Sequence, residues 1–238
     1  MLQSLLRFLL PTQCGLCDSL TEVEGALCPA CWAQTQFIVG AKCDCCGAPL
    51  VGHAEAGDYC DDCIALPKPW DAGRAAFVYS GAGRKLVLSL KHGDRLDLVP
   101  TLAPMLCRAG ADLWPEVDVI VPVPLHWTRL VKRRFNQAAV LARAAGRQLQ
   151  IPVDTDALIR AKRTLSTKGL SLAERQLMLK DSIVPNPSRP KALKGKRVVL
   201  IDDVMTTGST LAQTAIAAHI SGASRVCVVT LARAVKHH

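Results

Sequence analysis

Val198–Thr210, VVLIDDVMTTGST, combines an apolar run, an acidic pair and a bend rich in hydroxyl side chains. It overlaps Arg197–Ile201, a short apolar run rich in β-branched residues. Such a run predicts a buried strand. A helical pattern follows over Leu211–Ile220, and the apolar run Arg225–Leu231 predicts the next strand. The order of strand, helix and strand predicts a βαβ unit on a parallel sheet.

Polar residues occupy the bend between this strand and its helix. Ligands of open α/β sheets bind beyond the carboxyl ends of the strands, where this chain places Asp202, Asp203 and Gly208. Unpaired N–H groups at a helix start bind phosphate, and a glycine lets the backbone come close to it. The carboxylates suit the hydroxyls of a sugar, or a divalent metal. The bend therefore predicts a site for a phosphorylated sugar, with four hydroxyl side chains as further donors: Thr206, Thr207, Ser209 and Thr210.

The bend has two other interpretations. The first is a plain helix N-cap preceded by two turn aspartates. The second is a nucleoside triphosphatase, in which the acidic pair would hold the metal. The phosphate-binding pattern G-x-x-x-x-G-K-[ST] of that class is absent from the chain.

Cysteine and charge are distributed unevenly along the chain. Residues 1–67 hold nine of the eleven cysteines, with two basic and eight acidic residues, a net charge of −6. Residues 68–238 hold 27 basic and 12 acidic residues, a net charge of +15. The change predicts a cysteine-rich module over 1–67 and a second domain over 68–238, joined at Pro67-Lys68-Pro69. The basic domain favours anionic partners such as a phosphorylated small molecule or nucleic acid, although a solvated basic surface would look the same.

The N-terminal cysteines form four Cys-x-x-Cys pairs, a spacing typical of structural zinc sites. Eight ligands predict two Zn²⁺ ions whose role is folding, because four thiolates leave no open coordination position. Cross-braced pairing stays open, and Cys45 beside Cys46 leaves one ligand undecided. Cys107 and Cys227 lie in apolar contexts and are predicted core residues. The expected ligand sets are Cys14, Cys17, Cys28 and Cys31 for one ion and Cys43, Cys46, Cys60 and Cys63 for the other.

The chain contains no apolar run of about 18 residues, so no membrane-spanning helix is expected. Leu2–Leu10 is apolar but short, Arg7 interrupts it, and a cysteine pair begins at Cys14, which argues against a signal peptide. We therefore expect the protein to be cytoplasmic. Cysteines in the cytoplasm bind metals more often than they form disulfides.

A second candidate strand, Val117–Val121, ends in Pro122-Val123-Pro124 and leads into a basic segment. That segment could bind pyrophosphate, or it could be the solvated end of a helix. Its residues are His126, for which we expect a structural role, Arg129, Lys132, Arg133 and Arg134.

Other segments complete the expected fold. Residues 160–169 are basic and suit a mobile lid or an ordinary surface loop equally well. Ser171–Leu179 begins like a capping box. A strand is expected over Ala75–Tyr79, and helices over 83–92, 98–109 and 136–150.

Val198–Thr210 resembles the phosphoribosyl pyrophosphate (PRPP) binding motif of the type I phosphoribosyltransferases. Together with the cysteine pairs, further motifs follow one another in the order seen in the ComF family of competence-associated proteins. These motifs are Lys91 in LSLKHGD, Val121–His126, Arg129, Phe135-Asn136-Gln137 and Leu170–Arg175. The resemblance implies an α/β fold: a type I phosphoribosyltransferase-like parallel sheet with flanking helices, preceded by a small zinc-ribbon module.

The resemblance also implies roles for single residues. Asp202 and Asp203 become the candidate catalytic and ribose-binding pair, and Thr206, Thr207, Gly208, Ser209 and Thr210 would contact the 5′-phosphate. Arg129 and Arg133, after the second strand, would belong to the pyrophosphate loop. This chain departs from the family at two positions: Arg134 replaces a glycine, so the resemblance does not predict the backbone path there, and Thr167 replaces a glutamine.

Two functions follow from the resemblance. The first is Mg²⁺-assisted transfer of the 5-phosphoribosyl group from PRPP to an unknown acceptor, with release of pyrophosphate. The alternative is a non-catalytic factor in transformation that handles single-stranded DNA beside a DNA-uptake helicase, or that senses PRPP. Ten aromatic residues, four Trp, four Phe and two Tyr, give few stacking surfaces for single strands. A further role for the zinc module is that of a protein-docking platform.

Overall fold

The computed structural model of the protein describes residues 12–17, 19–23, 25–53, 55, 57–92, 95–162 and 181–235. The N-terminal apolar stretch, the helix expected over Ser171–Leu179 and the predicted lid beyond residue 162, with Thr167, lie outside these residues.

Four parallel strands form the main sheet. Their residues are largely apolar because both faces of a parallel sheet are covered by other elements. The strands are β1 (Ala72–Val78), β2 (Val119–Pro122), β5 (Arg197–Met205) and β6 (Arg225–Arg233). Their order across the sheet is β1-β6-β5-β2. A separate antiparallel pair consists of β3 (Leu158–Arg160) and β4 (Ile183–Pro185). The predicted βαβ unit of a parallel sheet is confirmed in β5, its helix and β6.

The described residues contain seven helices, of which the first two precede β1. They are α1 (Pro29–Ala33), α2 (Asp61–Ala65), α3 (Gly81–His92), α4 (Val99–Ala109), α5 (Trp127–Arg133), α6 (Gln137–Leu149) and α7 (Ser209–Ile220). Two single 3-10 turns, Leu96–Leu98 and Trp114–Glu116, flank α4. In this part of the chain, no helix has both the length and the apolar character that a membrane crossing requires.

The two faces of the sheet carry separate hydrophobic cores because side chains alternate along each strand. In β5, Val199 and Ile201 belong to the core that contains residues of α3, α4 and α6. Val198 and Leu200 belong to the opposite core, with residues of α7 and of the β3–β4 pair. The sheet therefore lies between two helical layers, as expected for a flanked parallel sheet.

The cysteine-rich module contributes to both cores. Cys14, Cys28 and Cys31 are buried in the core that α4 covers. Cys43, Cys46 and Cys63 are buried in the core on the α7 side. The two groups of cysteines thus lie at different faces of the sheet, a placement that the spacing of the pairs does not predict.

Arg134 ends α5 with φ 63° and ψ −21°, in the left-handed region. The position that holds glycine in the family therefore keeps a glycine-like backbone in this chain.

We expect Arg134→Gly to raise the free energy of unfolding by about 0.5–1 kcal/mol, because relief of left-handed strain exceeds the chain-entropy cost of glycine. Urea unfolding measures the gain. Arg143→Gly, on the exposed face of α6, is the control and should cost about 1 kcal/mol; destabilisation by both substitutions would contradict the expectation.

Candidate functional site

The carboxyl end of β5 projects beyond its neighbour β2. The register of β2 runs as far as Pro122 opposite Ile201, and the Val123 N–H then donates to Ile201 O at 2.9 Å. On the other side, β6 stays paired with β5 as far as Met205. The prediction that the strand ends at Ile201 is therefore wrong, because β6 continues the ladder for four more residues. Asp202 and Asp203 lie on this extension, beyond the end of β2.

Asp203 is buried and forms an ion pair with Lys91. The Lys91 Nζ lies 2.8 Å from Asp203 Oδ1, and the lysine comes from the last turn of α3. Lys91 has no role that its sequence context predicts, and its only signal is the motif LSLKHGD. The contact brings two separate family motifs together at one site.

Asp202 is half-buried, and one of its oxygens accepts a hydrogen bond from the Asp203 N–H at 2.9 Å. Burial, followed by repulsion from the Asp203 carboxylate, raises the pKa of Asp202 to about 7. The positive charges of Lys91 and Arg160 act in the opposite direction. Arg160, the first residue of the predicted lid segment, is the last residue of β3. Its charge lies close enough to lower the pKa of Asp202.

The raised pKa of Asp202 predicts a pH-dependent effect of Asp202→Asn on stability. Between the ordinary pKa of 3.8 and about 7, the folded protein keeps a proton that the unfolded chain releases, so stability falls as the pH rises through this range. Asparagine carries no charge at any pH and avoids the loss. We expect the variant to be more stable than the parent by about 2–4 kcal/mol at pH 8, with a gain that shrinks toward pH 5.5.

Urea unfolding over this pH range, with zinc content measured at each pH, checks the expectation. The control is Asp118→Asn, because hydrogen bonds from Arg197 lower the pKa of Asp118 to about 2. Stability conferred by a lowered pKa is present at neutral pH and is lost only as the pH falls through about 2. The control should therefore be less stable than the parent throughout, and a pH-independent effect of Asp202→Asn would contradict the assignment.

Residues 206–210, here called the hydroxyl loop, comprise the bend after β5 and the first two residues of α7. Gly208 precedes the first residue of α7 with φ 77°, a conformation that L side chains rarely adopt. Thr206 is exposed, and Thr207 Oγ1 lies 2.9 Å from Ser209 Oγ. The loop thus presents hydroxyls and the first N–H groups of a twelve-residue helix on one short bend, an arrangement suited to a phosphate.

The basic segment follows β2, which ends with Pro122 opposite Ile201, the residue before the acidic pair. His126 is buried, and its Nδ1 accepts a hydrogen bond from the Thr128 N–H at 3.3 Å, which makes it the N-cap of α5 and confirms its structural role. Asn136 caps α6 and donates from Nδ2 to Val123 O at 3.0 Å. Arg129 and Arg133 lie on α5, but the structure does not describe their side chains, so their pyrophosphate contacts stay a prediction.

Each of the two cysteine groups places its four Sγ atoms within 4.8 Å of one another. Four thiolates at about 2.3 Å from one Zn²⁺ in a tetrahedron would be about 3.8 Å apart, so both groups fit structural zinc. Pairing is consecutive along the chain, and Cys46 rather than the buried Cys45 completes its group. Cys107 and Cys227 are buried core residues, as expected. The first cluster is Cys14, Cys17, Cys28 and Cys31, and the second cluster is Cys43, Cys46, Cys60 and Cys63.

Fold and site define a type I phosphoribosyltransferase-like protein with an N-terminal double zinc ribbon. Residues 5–64 match the family described as double zinc ribbon domain, and residues 136–237 match the phosphoribosyl transferase domain. The fold resembles a solved glutamine PRPP amidotransferase from B. subtilis, with 22% identity over 60% of this chain and 30% of that chain, at a TM-score of 0.40.

Several relatives match over almost the whole chain, and two of them illustrate the likeness. Competence protein F of Haemophilus influenzae is 31% identical over 91% of this chain and 94% of the relative. DNA utilization protein YhgH of Escherichia coli K12 is 28% identical over 92% of this chain and 89% of the relative. The chain belongs to the competence protein F (ComF) family.

Proposed function

We propose that the protein binds PRPP and transfers its 5-phosphoribosyl group to an acceptor, with release of pyrophosphate. The observation that carries the proposal is the placement of Asp202 and Asp203 at the open end of β5, next to a glycine-containing bend that starts α7. The proposal divides the chain into a zinc module, residues 1–67, and a phosphoribosyltransferase domain, residues 68–238.

The proposed roles follow from the chemistry of each group. The hydroxyl loop binds the 5′-phosphate through N–H and O–H donors. Asp202 and Asp203 accept hydrogen bonds from the ribose hydroxyls, and Lys91 keeps Asp203 in place through the ion pair. Arg129 and Arg133 supply positive charge for the pyrophosphate.

Transfer breaks the bond between C1 of the ribose and a pyrophosphate oxygen while a bond from C1 to the acceptor forms. Positive charge develops on the sugar ring, so the nearby carboxylates stabilise the transition state and no covalent enzyme nucleophile is needed. Mg²⁺, when bound with PRPP, would offset the charge of the pyrophosphate, and the carboxylate oxygens of Asp202 and Asp203 are ligands of the type that could help to hold it.

A second candidate function is the handling of single-stranded DNA in the cytoplasm during transformation, beside a helicase, with PRPP as a sensed ligand. The net charge of +15 on residues 68–238 favours binding of a phosphate backbone. The names competence protein F and DNA utilization protein of two relatives agree with such a role.

Calorimetry with PRPP and Mg²⁺, followed by pyrophosphate release across a panel of bases, amines and DNA oligomers, tests these functions. PRPP binding with acceptor-dependent pyrophosphate release supports the transferase. PRPP binding without release for any acceptor favours the sensing role. Absence of PRPP binding overturns the proposal, and salt-dependent affinity for single strands would then favour DNA handling.

A further inference from the structure

The second cysteine cluster packs against the sheet close to the hydroxyl loop. Asp44, between two of its cysteines, accepts at its backbone O a hydrogen bond from the Gly73 N–H in β1 at 2.8 Å. The buried Arg74 side chain donates to Asp44 Oδ1 at 2.7 Å and to Asp112 Oδ2 at 2.6 Å. These backbone and charged contacts hold residues 43–46, here called the cysteine turn, on β1, the edge strand of the sheet.

Arg233 connects the second cluster to the hydroxyl loop. It is the last residue of β6, only 6% exposed, and its Nε donates to Cys46 Sγ at 3.4 Å. Its Nη1 donates to Thr206 O at 2.7 Å, at the start of the loop, and approaches Met205 O at 3.4 Å. One buried guanidinium thus joins a cysteine of the cluster to the backbone carbonyls at the entrance of the loop.

Trp70 provides a second connection. Its buried indole Nε1–H donates to Cys45 O at 2.6 Å, on the residue that precedes Cys46. A Cβ added to Gly208 would lie 3.0 Å from Cη2 of the same ring. The indole therefore lies directly against the backbone of the hydroxyl loop while the cysteine turn holds its other edge.

The first cluster makes different contacts. Three of its cysteines, Cys14, Cys28 and Cys31, belong to the core on the opposite face of the sheet. Arg95 Nη2 donates to Gly15 O at 3.5 Å, and an added Cβ at Gly15 would meet the side chain of Leu98. The first cluster thus packs near α4 and the 3-10 turn Leu96–Leu98 that precedes it.

We propose that Arg233 and Trp70 are positioning residues that make the shape of the hydroxyl loop, and its affinity for phosphate, depend on zinc in the second cluster. The proposal rests on the PRPP-binding function given above. Zinc holds four thiolates in one tetrahedron, and without the metal that arrangement loses its main constraint. A buried guanidinium needs acceptors in place, so a displaced Cys46 lets Arg233 and the carbonyls it holds rearrange.

Hydrogen exchange of the full-length, zinc-loaded protein tests the role of Arg233 without any ligand. In Arg233→Met, amides of residues 206–210 should exchange at least about tenfold faster than in the parent. Zinc content should remain two ions per chain, and affinity for ribose 5-phosphate should fall about tenfold. Arg225→Met is the matched control, since Arg225 lies at the other end of β6 and pairs with Glu116 at the surface; it should leave the loop unchanged.

Two cysteine variants test the dependence on zinc. Cys60→Ser removes a ligand from the second cluster and should accelerate exchange in the hydroxyl loop. Cys17→Ser removes a ligand from the first cluster and should leave exchange in the loop unaltered. Trp70→Phe, which keeps an aromatic ring and loses the N–H donor, should give a smaller acceleration and provides a variant with an intact metal site.

The outcomes separate this proposal from the proposed function. Unchanged loop exchange in Arg233→Met, or equal effects of Cys60→Ser and Cys17→Ser on the loop, overturns the positioning role. Failure of the parent protein to bind PRPP overturns the proposed function, whereas the exchange comparison still decides whether the second cluster and the loop are coupled.

Discussion

Asp202→Asn combined with Asp203→Asn is expected to lower PRPP affinity at least about 100-fold while the protein stays folded. Hydrogen bonds to a carboxylate contribute about 1.5–3 kcal/mol each, and the variant replaces two carboxylates that we assign to the ribose hydroxyls. Both changes keep the shape of the side chain, so the extension of β5 should persist. Isothermal titration calorimetry with PRPP and Mg²⁺ measures the loss.

The matched control is Asp118→Asn. Asp118 bonds to Arg197 at the opposite end of β5, so its substitution leaves the carboxyl end of the strand untouched. Affinity for PRPP should be that of the parent. If the double variant keeps its affinity for PRPP, with native circular dichroism and two zinc ions bound, the acidic pair is not part of the PRPP site.

Gly208→Ala is expected to weaken binding of both PRPP and ribose 5-phosphate at least about tenfold, because the hydroxyl loop must move to admit the methyl group. The residue has φ 77°, and the added Cβ would lie 3.0 Å from Trp70 Cη2. Left-handed strain should also reduce the free energy of unfolding by about 1–2 kcal/mol. Calorimetry and urea unfolding separate the two effects.

Gly195→Ala provides a control with the same kind of backbone strain. Gly195 has φ 71°, and an added Cβ there meets no atom within 4 Å. Its substitution should cost similar stability and leave ligand affinity unchanged. Equal losses of affinity in both variants would show that strain in general, rather than the hydroxyl loop, governs binding.

The βαβ unit was predictable from the sequence because its signals are local. The β-branched run of β5, the apolar pattern of α7 and the apolar run of β6 each correspond to an element of the structure. The cysteine pairs likewise predicted two four-cysteine groups, since a ligand pair three residues apart is set by one turn of backbone.

The length of β5 was not predictable in the same way. A polar doublet after an apolar run ordinarily ends a buried strand, and the expectation of an end at Ile201 follows from that rule. The actual end at Met205 depends on β6, a strand that begins only at Arg225 and offers hydrogen-bonding partners as far as Arg233. Pairing in a sheet is non-local, so the sequence of one strand does not contain it.

The acidic pair, the hydroxyl loop at a helix start and the paired cysteines are all features that local sequence specifies. Which of these features contact one another depends on the packing of the whole chain. This packing placed Lys91 at 2.8 Å from Asp203, and it placed Arg233 between Cys46 and the hydroxyl loop. The reason is physical: propensity and spacing act over a few residues, whereas ion pairs and buried hydrogen bonds join side chains that only the packed sheet brings together.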